Sequence, residues 1–337
     1  MQTPEVSVLL PARNAERTIQ RAVESIRAQT FQSWEIIAVD DASTDRTPEL
    51  LADLARGEPR MRVVRGRGAG LVDALRRGLS SCQGKWVARM DADDESLPRR
   101  LELSVSALSA DPELAAVGTQ VEIFREDRPV SPNMALYARW LNSLTSAEQL
   151  ARERFVESPL CHPSTTIRRS ALEAVGGYED GELPEDYQLW LKLLHAGWKL
   201  ACLPRLLFRW RDHDDRLTRN DPRYGEERFI AAKARYLARG PLAADRCCTV
   251  WGAGRTGRSL ARRLHQENIE VCRFLDVDPA KIGATIEGAP VLPWASLGPP
   301  DGMHLLVAVG AKGAREQIRS ALAARHWIEE RHFTCCA

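Results

Sequence analysis

Two runs near the start of the chain, Val6 to Leu10 and Trp34 to Val39, are apolar without alternation. This pattern constrains the fold most, because a strand that is apolar on both faces must be covered on both faces. Such strands belong in a parallel sheet flanked by helices, and the residues between the runs supply those helices. Ile19, Val23 and Ile26, within Glu16 to Gln29, fall on one helical face. After the second run, Thr47 is expected to cap a helix that holds Pro48 in its first turn and then Leu50, Leu51 and Leu54. Residues 62–64 read as a third, shorter strand, Leu71 to Leu79 as a short helix, and residues 85–90 as a fourth strand. The succession is β-α-β-α-β-α-β with polar tips, and open sheets of this kind bind ligands at the carboxyl ends of their strands.

The fourth tip is the most informative. The run from Lys85 to Asp94 ends in three carboxylates, Asp91, Asp93 and Asp94. A strand end cannot bury such charges unpaired, so something positive must face them. A hard divalent cation, shared between carboxylates and a substrate's phosphates, is one partner that fits. A solvated loop or a helix cap is the other reading. With Leu97 and Pro98 following, Asp94, Glu95 and Ser96 are expected to lie at a helix start. Asp91 and Asp93 remain open between the two readings on their own residues.

Taken together, Val6 to Asn14, Asp40 to Asp45, Gly68 to Gly70 and Asp91 to Asp93 resemble the nucleotide-sugar half of family 2 glycosyltransferases. The resemblance continues through Cys161 to Arg169, Gly176 to Tyr178 and Pro184 to Trp190, up to the region of residue 220. It implies the GT-A fold, a mixed, mostly parallel α/β sheet flanked by helices. It also implies inverting transfer from a nucleotide-diphosphate sugar to an acceptor hydroxyl. Pro11, Arg13 and Asn14 would line the donor's nucleobase and ribose, although many relatives carry an aromatic residue where Arg13 stands. Asp41 would accept a hydrogen bond from the base; the competing reading is a turn residue at a strand end. Asp93, with Asp91, would hold Mn²⁺ or Mg²⁺ at the diphosphate, and Asp91 would also contact the donor. Asp186 would be the general base.

The chemistry asks for those residue types. One carboxylate within reach of the acceptor hydroxyl suffices as base, and a divalent cation neutralises the charge gathering on the leaving diphosphate. Asp186 stands before the apolar stretch Tyr187 to Leu194, near a helix N-terminus where negative charge is stabilised. A plain helix cap is its alternative. Phe208 to His213 and Arg216 to Arg219 form a basic, aromatic-bearing segment, and a charge run is usually a solvated face. In the related enzymes a flexible loop with a basic residue and a His closes over the diphosphate, which would make Arg211 and His213 donor-binding. His162, followed by Pro163, marks a loop entering a strand.

Composition narrows the class. A chain of 337 residues has room for two domains. A net charge of +1, with bases and acids interspersed, leaves no nucleic-acid footprint. No apolar run reaches transmembrane length, and the start lacks the charged and apolar regions of a secretory signal. Eight cysteines without a C-x-x-C pair suit reduced thiols in a cytoplasmic protein. The acceptor class (glycan, lipid-linked or small molecule) is left open, because the segment expected to select it, residues 125–160, is of a kind that varies freely.

A second domain is expected from residue 244 to 337, after a transferase domain of residues 1–240. Residues 247–251 read as a strand leading into Gly252, Gly254 and Gly257, followed by a helix to Gln266 and a strand ending at Asp276. This is the glycine spacing of a dinucleotide turn, and the segment resembles small Rossmann-like modules such as the front domain of some sugar acyltransferases. The glycines would let a phosphate approach the helix N-terminus, and Asp276 would bind a ribose diol, favouring NAD or a nucleotide sugar over NADP. The alternative is that the glycines only allow close packing. Two rivals to the transferase reading are a dinucleotide-dependent oxidoreductase or epimerase, and a non-catalytic nucleotide-sugar-binding protein. The first leaves Asp41, Asp91, Asp93 and Asp186 unexplained, and carboxylates at all four positions weigh against the second.

Overall fold

The computed structural model describes residues 3–337. The chain forms two compact units. The first comprises residues up to Ala151, Pro159–Gly181 and Gln188–Asn220; the second comprises Arg152–Ser158, Glu182–Tyr187 and Asp221–Ala337.

The first unit carries an eight-stranded sheet. Its strands are β1 (Val6–Ala12), β2 (Trp34–Asp40), β3 (Met61–Arg65), β4 (Trp86–Arg89), β5 (Glu95–Ser96), β6 (Leu114–Phe124), β7 (Thr166–Arg168) and β8 (Lys199–Arg211). Their order across the sheet is β3-β2-β1-β4-β7-β6-β8-β5. The first four strands pair in parallel, as the alternation predicts. β7 runs antiparallel to β4 and β6, β6 and β8 pair in parallel, and β5 closes the edge antiparallel to β8.

Every residue of β1 and β2 is buried, so both faces are covered. Val8 and Leu10 join one core with Ile36 and Ala38, while Leu9 joins the opposite core with Ile37, Val39 and Val87. Helix Ile19–Arg27 presents Ile19, Ala22, Val23 and Ile26 to the first core, and helix Leu71–Ser81 presents Val72, Ala74 and Leu75 to the second. Apolarity on both faces leaves register weakly specified, because a one-residue slip would still bury apolar side chains. A buried polar pair fixes it instead. Ser7 faces Glu35 across β1 and β2, donates its hydroxyl to Glu35 Oε1 at 2.6 Å, and accepts the Gly84 N–H at 2.8 Å. A slip would strand those groups without partners.

Two local expectations are revised. Thr47 is the first residue of helix Thr47–Arg56, and its buried hydroxyl accepts the Ala15 N–H at 2.7 Å rather than capping that helix. Glu95 and Ser96 form strand β5, and the helix after them starts only at Arg100, with no side-chain cap. Pairing with Arg209 and Phe208 on β8 draws this segment into the sheet and away from the helix start.

The second unit carries a six-stranded sheet. β9 (Cys247–Trp251), β10 (Glu270–Asp276), β11 (Thr285–Ile286), β12 (Ala289–Pro293), β13 (Leu305–Val307) and β14 (Phe333–Cys335) lie in the order β11-β12-β10-β9-β13-β14. All pair in parallel except the β11–β12 hairpin. Helix Arg255–Gln266 joins β9 to β10, as the glycine turn predicts.

Candidate functional site

The tip of β4 gathers three carboxylates. Asp91, Asp93 and Asp94 each place an oxygen within 4.8 Å of the others. Asp91 accepts from the buried Arg89 guanidinium at 2.6 Å, and Asp93 Oδ2 lies 2.9 Å from His213 Nε2. Asp94 is 1% exposed; its Oδ1 accepts the Arg211 main-chain N–H at 2.8 Å, and its Oδ2 has no hydrogen-bond partner. Burial, then the charges of Asp93 and Asp91, push the Asp94 carboxyl well up, against Arg216 and Arg89. An orphaned carboxylate oxygen beside two further carboxylates is costly unless a cation meets it. The donor set, three carboxylates, suits a hard divalent ion such as Mg²⁺ or Mn²⁺. Asp94 is the site residue that the sequence expectation missed, since it reads as the start of a helix.

The tips of β1 and β2 stand beside a glycine loop. Asp41 is 3% exposed. Its Oδ1 accepts the Gly68 N–H at 2.8 Å and its Oδ2 the Gly70 N–H at 2.9 Å. Positive φ at both glycines, 73° and 96°, belongs to the left-handed region that side chains disfavour, and this loop needs it to turn both N–H groups inward. A carboxylate has about four lone-pair sites, so Asp41 keeps capacity for a further donor. Arg13 is largely exposed, its guanidinium 3.9 Å from Asp41. Pro11 is buried within β1. Asn14 fastens the β1 tip to the β2 tip, accepting the Thr44 N–H at 2.8 Å while its own N–H meets Ser43 Oγ at 3.0 Å.

Arg211 is the last residue of β8 and is buried, not part of a flexible loop. Its guanidinium donates to the Asp93 carbonyl at 2.9 Å and pairs with Glu126 at 2.8 Å. His213 follows at the strand's exit, against Asp93. His162 opens a short turn, Nε2 2.7 Å from the Tyr178 hydroxyl, and burial pulls its pKa well down, so it is a neutral packing group.

In the second unit, Asp186 lies in the first turn of helix Glu185–His195, with Oδ1 2.7 Å from the Tyr187 N–H. Burial raises its carboxyl far above the ordinary carboxylate range, and the charges of Glu185 and Glu157 add to the rise. Glu185 in turn accepts the Tyr224 hydroxyl at 2.6 Å. A carboxyl raised in this way binds a proton more tightly than an ordinary one.

The glycine turn of the second unit is built for close approach. A Cβ on Gly257 would lie 1.8 Å from the Gly252 carbonyl oxygen, and one on Gly252 2.8 Å from the Ala308 carbonyl oxygen; Gly254 faces open space. Asp276, expected to bind a ribose diol, is engaged by donors of its own turn. Its Oδ1 accepts the N–H groups of Val277 and Asp278, and its Oδ2 accepts those of Ala253 and the Lys281 ammonium. Those four donors fill the lone-pair sites of a carboxylate, so Asp276 clamps the turn, and the preference for NAD over NADP that rested on it falls away.

Among the described residues no helix is long and apolar enough to cross a membrane. Residues 7–176 match the family described as glycosyl transferase family 2. The putative glycosyltransferase EpsE of Bacillus subtilis is 32% identical over 232 residues, covering 67% of this chain and 80% of the relative. The amylovoran biosynthesis glycosyltransferase AmsE of Erwinia amylovora is 31% identical over 212 residues, 62% of this chain and 77% of the relative. Among solved structures, residues 1–349 of S. aureus TarS with UDP superimpose with a TM-score of 0.55 at 18% identity, covering 78% of this chain and 71% of TarS 1–349. The mannosyltransferase PcManGT of Pyrobaculum calidifontis, solved with GDP-Man and Mn²⁺, gives 0.50 at 21% identity over 70% of this chain and 63% of its own.

Proposed function

The chain belongs to glycosyl transferase family 2 and is a glycosyltransferase, and from that premise we propose that it moves a sugar, with inversion, from a nucleotide-diphosphate donor to an acceptor hydroxyl. The carboxylate cluster at the β4 tip carries this reading, because Asp91, Asp93 and the orphaned Asp94 oxygen ask for a cation. A divalent ion held there supplies Lewis-acid stabilisation of the departing diphosphate. That PcManGT was solved with GDP-Man and Mn²⁺ supports the same reading.

The remaining roles follow from the side chains. Asp41 holds the Gly68–Gly70 loop and has lone pairs left for a nucleobase N–H. Pro11, Arg13 and Asn14 border the donor, with Asn14 keeping the β1 and β2 tips together. Arg211 holds the Asp93 main chain in place, and His213 orients the Asp93 carboxylate. Asp186 takes the acceptor hydroxyl's proton; because burial raises its carboxyl, its base form gains as pH rises. The parallel sheet around β9 and the tight Gly252–Gly257 turn support reading the second unit as a Rossmann-like module. The test is hydrolysis or transfer from UDP- and GDP-sugars by the full chain, with Mn²⁺ and with chelator. Metal-dependent turnover of at least one donor is expected; equal turnover in chelator removes the metal from the mechanism, and no turnover of any donor with Mn²⁺ rejects the reading.

A further inference from the structure

Helix Pro132–Ser143 fully buries one residue, Leu141. It nevertheless carries Leu136 at 44% exposure, with Tyr137 and Trp140 half-buried. The Tyr137 and Trp140 rings stack, their centroids 5.9 Å apart and their planes 27° apart, and half-buried Trp210 of β8 stands 6.3 Å from Tyr137. All three rings pack in part against the hydrophobic core, and what they leave open forms one aromatic patch at the surface, unlike a single scattered residue.

The cluster adjoins the acid cluster. Trp210 directly precedes Arg211, whose N–H bonds Asp94. Arg216 lays its guanidinium 4.2 Å over the Trp210 ring, and its charge bears on the Asp94 carboxyl. Through Arg216 and the Arg211 main chain, the cluster neighbours the carboxylates where the donor's diphosphate is proposed to sit.

The chemistry selects the occupant. A pyranose ring offers an apolar C–H face edged by hydroxyls, and a flat aromatic surface with polar groups around it covers such a face. A membrane surface asks for an amphipathic helix rich in Lys and Arg, and Arg139 is the one charged residue of Pro132–Ser143. We propose that Tyr137, Trp140 and Trp210 form an acceptor subsite that stacks against a pyranose ring, so that the acceptor is a saccharide. The proposal rests on the glycosyl-transfer reading above and adds its acceptor class.

Saturation-transfer NMR on the full chain tests it, with methyl glycosides of glucose, galactose, mannose and N-acetylglucosamine as probes. At least one probe is expected to receive saturation at its axial ring C–H groups. Trp140→Ala should weaken that contact about tenfold, the scale of one aromatic contact with its area, and Trp140→Phe should keep most of it. Unfolding temperatures are compared alongside, and Tyr137→Ala stands in if Trp140→Ala fails to fold. Equal saturation in parent and Trp140→Ala overturns the subsite. So does the absence of contact with every pyranoside, including the case where phosphatidylglycerol vesicles bind the parent and release Trp140→Ala. Donor hydrolysis by the same parent preparation separates the two readings. Hydrolysis without pyranoside contact rejects the subsite alone, whereas no hydrolysis of any nucleotide sugar rejects the transferase reading itself.

Discussion

The main-chain N–H of Arg211 donates to Oδ1 of Asp94 at 2.8 Å, across 117 positions of sequence. This bond ties the end of β8 to the tip of β4 and leaves the other Asp94 oxygen buried and bare. A buried carboxylate fixed on one oxygen and orphaned on the other is unfavourable for the fold alone and useful for holding a cation.

Asp94→Asn separates these two effects. The amide oxygen can still accept the Arg211 N–H, while the side chain can no longer ionise to meet a cation. The apo protein is expected to unfold at the same or a higher temperature than the parent. The gain in unfolding temperature on adding Mn²⁺ should shrink, matching a loss of at least about tenfold in metal affinity. Differential scanning with and without Mn²⁺ reads both quantities, and an unchanged Mn²⁺ response would remove Asp94 from the metal site.

Asp186→Asn tests the base. Turnover should fall by about 10²-fold or more while the donor KM changes little. In the parent, kcat should rise with pH through a value above the ordinary carboxylate range, because burial and Glu185 raise the Asp186 carboxyl. The stability sign is opposite to that of a salt-bridged acid. The folded state binds the proton more tightly than the unfolded chain, so stability falls as pH rises from the unfolded pKa to the folded one and stays lower above it. Asp186→Asn should therefore be more stable than the parent at neutral and alkaline pH. Urea melts at acid and neutral pH check this, and a less stable variant at neutral pH would return Asp186 to a capping role.

Glu185→Gln addresses the neighbour's charge. Removing it should lower the Asp186 carboxyl and move the acid limb of the kcat profile to lower pH, with the Tyr224 hydroxyl still able to donate to the amide oxygen. A pH profile that does not move would show that burial and Glu157 set the shift without Glu185.

Much of this arrangement is legible in the sequence, and the rest fails for identifiable reasons. The strands at Val6 to Leu10 and Trp34 to Val39 are readable because burial on both faces leaves an unbroken apolar run, which few other structures produce. Asp94 is misread because acids before Leu97 and Pro98 follow the local rules of a helix start, while its burial depends on β5 pairing with β8. Local rules cannot see a partner at Arg209. The segment Phe208 to Arg211 looks like a loop by charge, yet its two-residue alternation of aromatic and arginine was the available sign of a strand. Asp276 stands where the acid of a dinucleotide fold belongs, and only the count of four donors around it reveals a clamp.

Asp41→Asn should loosen the glycine loop. An amide offers one acceptor oxygen, so either the Gly68 or the Gly70 N–H loses its bond and meets an NH₂ group instead. The expected loss of stability is about 1–3 kcal/mol, the range for a buried donor left unsatisfied. Donor KM should rise more than kcat falls, since the loop borders the proposed nucleobase site. Steady-state kinetics with a urea melt check both, and unchanged stability would show that the loop holds without this carboxylate.

The second unit gives a prediction in which two glycines three residues apart behave oppositely. A methyl group on Gly257 would sit 1.8 Å from the Gly252 carbonyl oxygen, a main-chain atom that cannot step aside without moving the turn. Gly257→Ala should cost about 3 kcal/mol or more, at or beyond the upper end of overpacking penalties. Gly254 has φ −84° and open space where its Cβ would point, so Gly254→Ala should change stability by less than about 0.5 kcal/mol. Because packing does not require glycine at 254, any loss that Gly254→Ala causes must arise from a ligand that approaches that backbone closely. Calorimetry of the parent and Gly254→Ala with UDP, GDP and nucleotide sugars supplies the readout. A second binding event, beyond the one proposed at the β4 tip, that is present in the parent and lost in an equally stable Gly254→Ala protein assigns the turn to a phosphate, and an equal number of sites in both proteins leaves the glycines to packing alone.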